Sequence, residues 1–163
     1  MPSSDFAFMK QQDQKHYSAV GKVAVEWTRF EMRIAEMVRM LAGVNNKFGE
    51  CITVQVANTA RMLDALSALA ELRSPGSAGK KPFKKRLDRI QGLAERRNRV
   101  VHDEWTFDPG VTTRWQNSAR RVHKNTPIDM SADEVEKFAT EIKDACHEFV
   151  AFRREFLLPL KLW

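Results

Sequence analysis

Arg97, Asn98 and His102 are the residues whose types and spacing support chemistry; they lie in the segment RNRVVHDEW at 97–105. A histidine gives and takes protons near neutral pH. An arginine fork binds two phosphate oxygens and supports the charge that builds on them. Asn98 stands four residues before His102 and shares its helix face, where its amide would orient the imidazole or bind a ribose 2′-hydroxyl. Together the three side chains fit phosphoryl chemistry on RNA. The spacing raises a difficulty. Arg97 and His102 are five residues apart, about 140° around a regular helix. They meet only if the helix ends near His102, or if another element or a second subunit completes the site.

The charge around this segment is uneven. The net charge is +6. Between Lys80 and Arg99, nine basic residues face two acidic ones, Asp88 and Glu95, which gives +7 and leaves −1 for the rest of the chain. A localised basic stripe is the footprint of a polyanion binder, the alternative being a solvated helix face. Besides Arg97, the stripe comprises Lys80, Lys81, Lys84, Lys85, Arg86, Arg89, Arg96 and Arg99, the candidate nucleic-acid contacts. Arg120, Arg121, His123 and Lys124 either extend that face or form a solvated loop.

Helices must position most of these groups. Val20, Val23, Trp27, Phe30, Ile34, Met37 and Leu41 recur at steps of three and four, an apolar seam within a helix over 13–42 that Gly43 and Asn45-Asn46 stop. A second helix is expected over 52–72, with Met62, Leu63, Leu66, Leu69 and Ala70 on its apolar face, although its first residues, ITVQV, are β-prone. SPGSAGKKP at 74–82 is a loop, and a third helix begins near Pro82. Leu87, Ile90, Ala94, Arg97 and Val101 share one face of it. An arginine in an apolar seam needs a partner: a cleft, a dimer mate, or an ion pair such as one with Glu31 or Glu36.

After the third helix the period changes. Trp105 and Phe107 precede the turn signal Asp108-Pro109-Gly110, and Val111, Thr113 and Trp115 alternate beyond it. The pattern predicts a short hairpin, with a third extended piece near 121–123. Ser131 and Glu134 form a capping box, followed by a seam of Val135, Phe138, Ile142, Ala145, Phe149, Phe152 and Phe156, with Pro159 ending the helix. The expected fold is all-α: a four-helix bundle with a small β-hairpin before the last helix, one domain over 1–163.

Composition narrows the class. The 163 residues are 43% hydrophobic and 29% charged, ordinary for a soluble globular domain. Cys51 and Cys146 form no CxxC and no zinc spacing, so reduced cysteines and no metal site are expected. No cofactor is expected either, since the glycines at 76, 79 and 110 make no phosphate-cradling loop. The N-terminal segment lacks a signal-peptide apolar run, and no stretch approaches roughly 18 apolar residues. The expectation is a cytoplasmic protein with no membrane partner. His16 and His147 read as packing or surface residues.

RNRVVH resembles the signature of the HEPN superfamily, in which a histidine follows an arginine by four to six residues and a polar residue often stands next to the arginine. Arg97 and His102 fit that spacing, and Asn98 takes the polar position. Asp103-Glu104-Trp105 and the extended segment after them are similar to a subgroup of small bacterial members with a hairpin before the last helix. The resemblance implies metal-independent RNA cleavage, in which the 2′-hydroxyl attacks the adjacent phosphate and leaves a 2′,3′-cyclic phosphate. It also implies a homodimer with two motifs facing one cleft, and a toxin or defence role with RNA as substrate and an antitoxin or other protein as partner. Arg96, six residues before His102, is an alternative arginine. Other members use the same bundle as a noncatalytic module that binds a protein or nucleic acid. A nucleotidyltransferase-associated subunit is a third reading, from family analogy alone.

The basic stripe generates an expectation of its own. RNA binding should be weak and should fall steeply with salt, because neutralised phosphates release counterions. Changing Lys80, Lys81, Lys84 and Lys85 to glutamine should weaken binding and flatten the salt slope in a filter-binding titration. No binding even at low salt would leave the stripe as a solvated face.

Overall fold

The computed structural model describes residues 4–56, 58–74, 80–108, 111–118 and 124–157, with the backbone alone for 4–10, 80, 117–118 and 124–125. Among them the elements run α1 (Ser4–Ala42), α2 (Asn46–Gln55), α3 (Thr59–Arg73), α4 (Lys80–His102), β1 (Glu104–Asp108), β2 (Val111–Ser118), β3 (Lys124–Asp129) and α5 (Ala132–Leu157). The protein is mostly helical, with a three-stranded antiparallel sheet of order β1-β2-β3 before its last helix.

Two elements differ from expectation. The helix expected over 52–72 is two helices, because asparagines start both. Asn45 accepts a hydrogen bond from the Phe48 N–H at 3.1 Å, and Asn58 accepts from the Ala60 N–H at 2.8 Å. Each is an N-cap that satisfies donors the first turn leaves unpaired. The β-prone run ITVQV lies at the end of α2, where the Thr53 hydroxyl donates to the Gly49 carbonyl at 3.0 Å. The hairpin gains a third strand, β3, paired with β2 from Thr113↔Asp129 to Ser118↔Lys124. Residues 121–123, expected to be extended, lie outside the described residues, as do the turn residues Pro109 and Gly110 and the stop signal Pro159.

The chain divides into two compact units, 1–27 with 95–142 and 28–94 with 143–163. In the first, Val23, Trp27, Val100, Val135, Phe138 and Ile142 are at most 2% exposed. Burying each such side chain contributes about 1.5–3 kcal/mol. The expected seam of α1 slips by one residue at Val20, which is half-buried while Ala19 is buried; His16, one heptad before Val23, is buried too. A strict seven-residue seam drifts about 20° per heptad against a straight helix, so the inward position moves back toward the N-terminus. The capping box forms as expected, with the Ser131 N–H donating to Glu134 Oε2 at 2.7 Å and the Glu134 N–H donating to Ser131 Oγ at 3.3 Å. The backbone and hydroxyl of Ser131 hold the Glu134 carboxyl below its usual range.

In the second unit, Phe30, Ile34, Met37 and Leu41 of α1 are fully buried, and Phe30 lies 5.6 Å from the Phe149 ring. Gly43 ends α1 with φ at +70°, its N–H donating to the Arg39 carbonyl at 3.1 Å. Arg73 closes the same end by donating from Nε to the Leu41 carbonyl at 2.7 Å. A Cβ at Gly43 would come within 2.9 Å of Arg73 Nη2. The left-handed conformation alone costs a non-glycine residue about 1–2 kcal/mol. Gly43→Ala should therefore lower unfolding free energy by at least about 1 kcal/mol in urea titrations, and an unchanged midpoint would contradict this account of the α1 terminus.

Candidate active site

The last turn of α4 and the start of β1 build the site. The helix closes with the Asp103 N–H donating to the Arg99 carbonyl at 3.1 Å. The chain is extended from Glu104, so the Val100 carbonyl loses its next helical donor. The Trp105 indole N–H replaces it, at 3.0 Å. Behind this bond lies His16 of α1, 1% exposed, edge-on to Trp105 at 4.2 Å and to Phe107 at 5.3 Å. Asp103 lies between two guanidinium groups, Arg99 at 3.8 Å and Arg114 at 3.7 Å. Arg114 sits on β2 directly opposite Trp105.

At this helix end the three candidate residues come together. Arg97 Nη1 donates to Asn98 Oδ1 at 3.0 Å and stands 3.5 Å from His102 Nε2. The five-residue spacing therefore closes within one chain through the side chains, with His102 the last residue of α4. A guanidinium is donor-only, so this contact needs the His102 tautomer with the proton on Nδ1 and the lone pair on Nε2. His102 and Asn98 are exposed, and Arg97 is half-buried. Arg97 makes no ion pair among the described residues, and its Nε is buried without a hydrogen-bond partner. The carboxylates weighed as its partners are engaged elsewhere: Glu31 accepts from Thr59 at 2.6 Å, and Glu36 from Arg33 at 3.1 Å. Arg96, the alternative arginine, is held by Glu141 at 2.7 Å and lies 4.2 Å over the Phe138 ring.

The remaining basic candidates fall into two groups. Arg89 is paired with Glu148, Arg99 faces Asp103, and Arg86 lies 4.3 Å over the Phe152 ring. Lys81, Lys84 and Lys85 are exposed at the start of α4. The side chain of Lys80 lies outside the described residues, as do Arg120, Arg121 and His123 and the side chain of Lys124. Neither Cys51 nor Cys146 is in a disulfide, and among the described residues no group of His, Cys, Asp or Glu has the arrangement of a metal site. Among the described residues no helix is long and apolar enough to cross a membrane.

Sequence reasoning missed His16 and Arg114. His16 carried a signal, since it stands one heptad before Val23 on the α1 seam. Arg114 carried none, because its partner Asp103 meets it only through strand pairing. No protein-family model matches this chain, and no curated protein and no solved structure matches it.

His16 gives the site a measurable acid sensitivity. Both ring nitrogens are buried without a hydrogen-bond partner. Burial pushes its pKa below the ordinary 6.5, with Asp13 opposing that shift. Above pH 6.5 the ring is neutral folded and unfolded. Below it the unfolded chain takes up a proton that the folded chain resists, so stability is lost as pH falls from 6.5 toward the depressed value. The Tm should drop over that window, and His16→Phe should remove part of the drop. A Tm profile identical in the two proteins would refute this role.

Proposed function

We propose that the protein is a HEPN-like endoribonuclease that cleaves RNA without a metal ion. The observation that carries this reading is the 3.5 Å approach of Arg97 Nη1 to His102 Nε2 at an exposed helix end, by an arginine that no carboxylate among the described residues holds. The 2′-oxygen attacks phosphorus, the bond from phosphorus to the 5′-oxygen breaks, and the products are a 2′,3′-cyclic phosphate and a 5′-hydroxyl. His102 takes the proton from the 2′-hydroxyl or delivers one to the leaving 5′-oxygen. Arg97 stabilises the negative charge that builds on the phosphoryl oxygens. Asn98 orients the guanidinium through its 3.0 Å contact. A two-fold dimer presenting two motifs to one cleft would supply one histidine for each proton transfer. The reading includes a four-helix bundle as the scaffold, a cytoplasmic toxin or defence role, and an antitoxin as protein partner.

A noncatalytic dimeric module that binds a protein or nucleic acid is the second reading. It is favoured by the pairing of Arg89, Arg96 and Arg99 with carboxylates, which leaves less free positive charge for RNA than the sequence alone implies.

A cleavage assay with mixed RNA in EDTA separates the two. A positioned acid or base contributes roughly 10²–10⁴-fold in rate. Arg97→Ala and His102→Ala should each remove nearly all cleavage with circular dichroism unchanged, and Asn98→Ala should cost less. Cleavage that needs magnesium, or that survives His102→Ala in a nuclease-free preparation, would leave the noncatalytic module as the better reading.

A further inference from the structure

Helices α3 and α4 border a groove of about 510 Å³ within the second unit, in the size range of ligand sites. Its α3 wall is Ala60, Leu63, Ser67, Ala70 and Ser74, at steps of three, four, three and four. Its α4 wall repeats that spacing with Lys84, Leu87 and Gln91. The buried seams of α1 and α5 step along the chain in the same way, the spacing that lines up one face of a helix. Two walls of that kind suit a helix laid between them.

The groove is apolar within and acidic outside. Leu63, Ala70, Phe83 and Leu87 are at most 8% exposed, and the Phe83 ring is stacked on Phe156 at 5.2 Å. The short side chains of Ala60, Ser67 and Ser74 let another helix approach the α3 wall. Asp64 and Glu71 are exposed on α3, and Asp88 is exposed on α4. Asp64 and Asp88 make no ion pair among the described residues. Lys84 is the cation among the described lining residues. In a chain of net charge +6, three carboxylates against one lysine select a basic occupant locally.

We propose that this groove receives an amphipathic basic helix of a partner protein. The apolar stripe of that helix meets Leu63, Phe83 and Leu87. Lysines or arginines on its flanks meet Asp64 and Glu71 on one side and Asp88 on the other. Asp64 and Glu71 are seven residues apart, a rise of about 10 Å, so basic residues two turns apart on the partner reach both. From Ala60 to Ser74 the α3 wall rises about 21 Å, which matches a partner helix of about four turns. Lys84 opposes the basic flank, so removing its charge should strengthen binding.

The test titrates the full chain, without RNA and so apart from any nuclease activity, with two peptides followed by amide NMR. One peptide carries leucine at helical three-and-four spacing and lysine elsewhere, over about four turns. The other replaces every lysine with glutamate. The lysine peptide should shift the amides of Leu63, Ser67, Leu87 and Gln91, and the glutamate peptide should not. Asp64→Lys/Asp88→Lys changes two exposed positions and should weaken the lysine peptide about fivefold. Lys84→Gln should tighten it, and Ser67→Trp, which fills the groove from an exposed position, should abolish the shifts with circular dichroism unchanged. Equal shifts from both peptides, unchanged affinity in the charge-reversed protein, or shifts only outside α3 and α4 would overturn the proposal.

Discussion

The hydrogen bond from the Trp105 indole to the Val100 carbonyl is the constraint on which the rest of the site depends. A helix leaves its last carbonyls without donors, and a buried unpaired carbonyl costs about 1–3 kcal/mol. Here a side chain from the following strand supplies the donor, so the helix stops at His102 and the strand starts two residues later. His102 is then the last residue of α4, and its imidazole stands 3.5 Å from the Arg97 guanidinium. Trp105 is held in turn by His16 and by pairing of β1 with β2, so residues distant in sequence fix the geometry of a six-residue motif.

The parts of this arrangement that were legible in the sequence are those that local chemistry decides. The capping box at Ser131 and Glu134 and most of the seams of α1 and α5 follow from spacing; the seam residues Val23 to Leu41 and Val135 to Phe149 are buried as expected, while Val20, Phe152 and Phe156 are half-buried. The split between α2 and α3 was harder to read, because one asparagine, Asn58, decides it in a stretch whose apolar pattern runs on. Along α4, Val100 and not Val101 is the deeply buried residue of the last turns, and Arg97 stands half-buried nearby. The convergence of Arg97 and His102 was legible only as one of several alternatives. The deciding contact comes from Trp105, and nothing in the motif states where the indole points.

Charge counting was the least transferable reading. The +7 of the segment from Lys80 to Arg99 is a property of the sequence, but carboxylates of α5 approach it in the fold. Glu148 takes Arg89 and Glu141 takes Arg96, while Lys81, Lys84 and Lys85 are exposed at the start of α4 and Arg97 makes no ion pair among the described residues. The Nε of Arg97 is buried without a hydrogen-bond partner among the described residues, while its Nη1 faces the imidazole. An arginine fork without a carboxylate has its donors open to a phosphate.

The central claim is that this pair performs transesterification on RNA. It is tested most directly by mass spectrometry of the RNA termini produced in EDTA by the wild-type protein and by Arg97→Ala. The account predicts 2′,3′-cyclic phosphate and 5′-hydroxyl ends from the wild type and intact RNA from the variant. Fragments ending in a 3′-hydroxyl, or no fragments from the wild type, would contradict it.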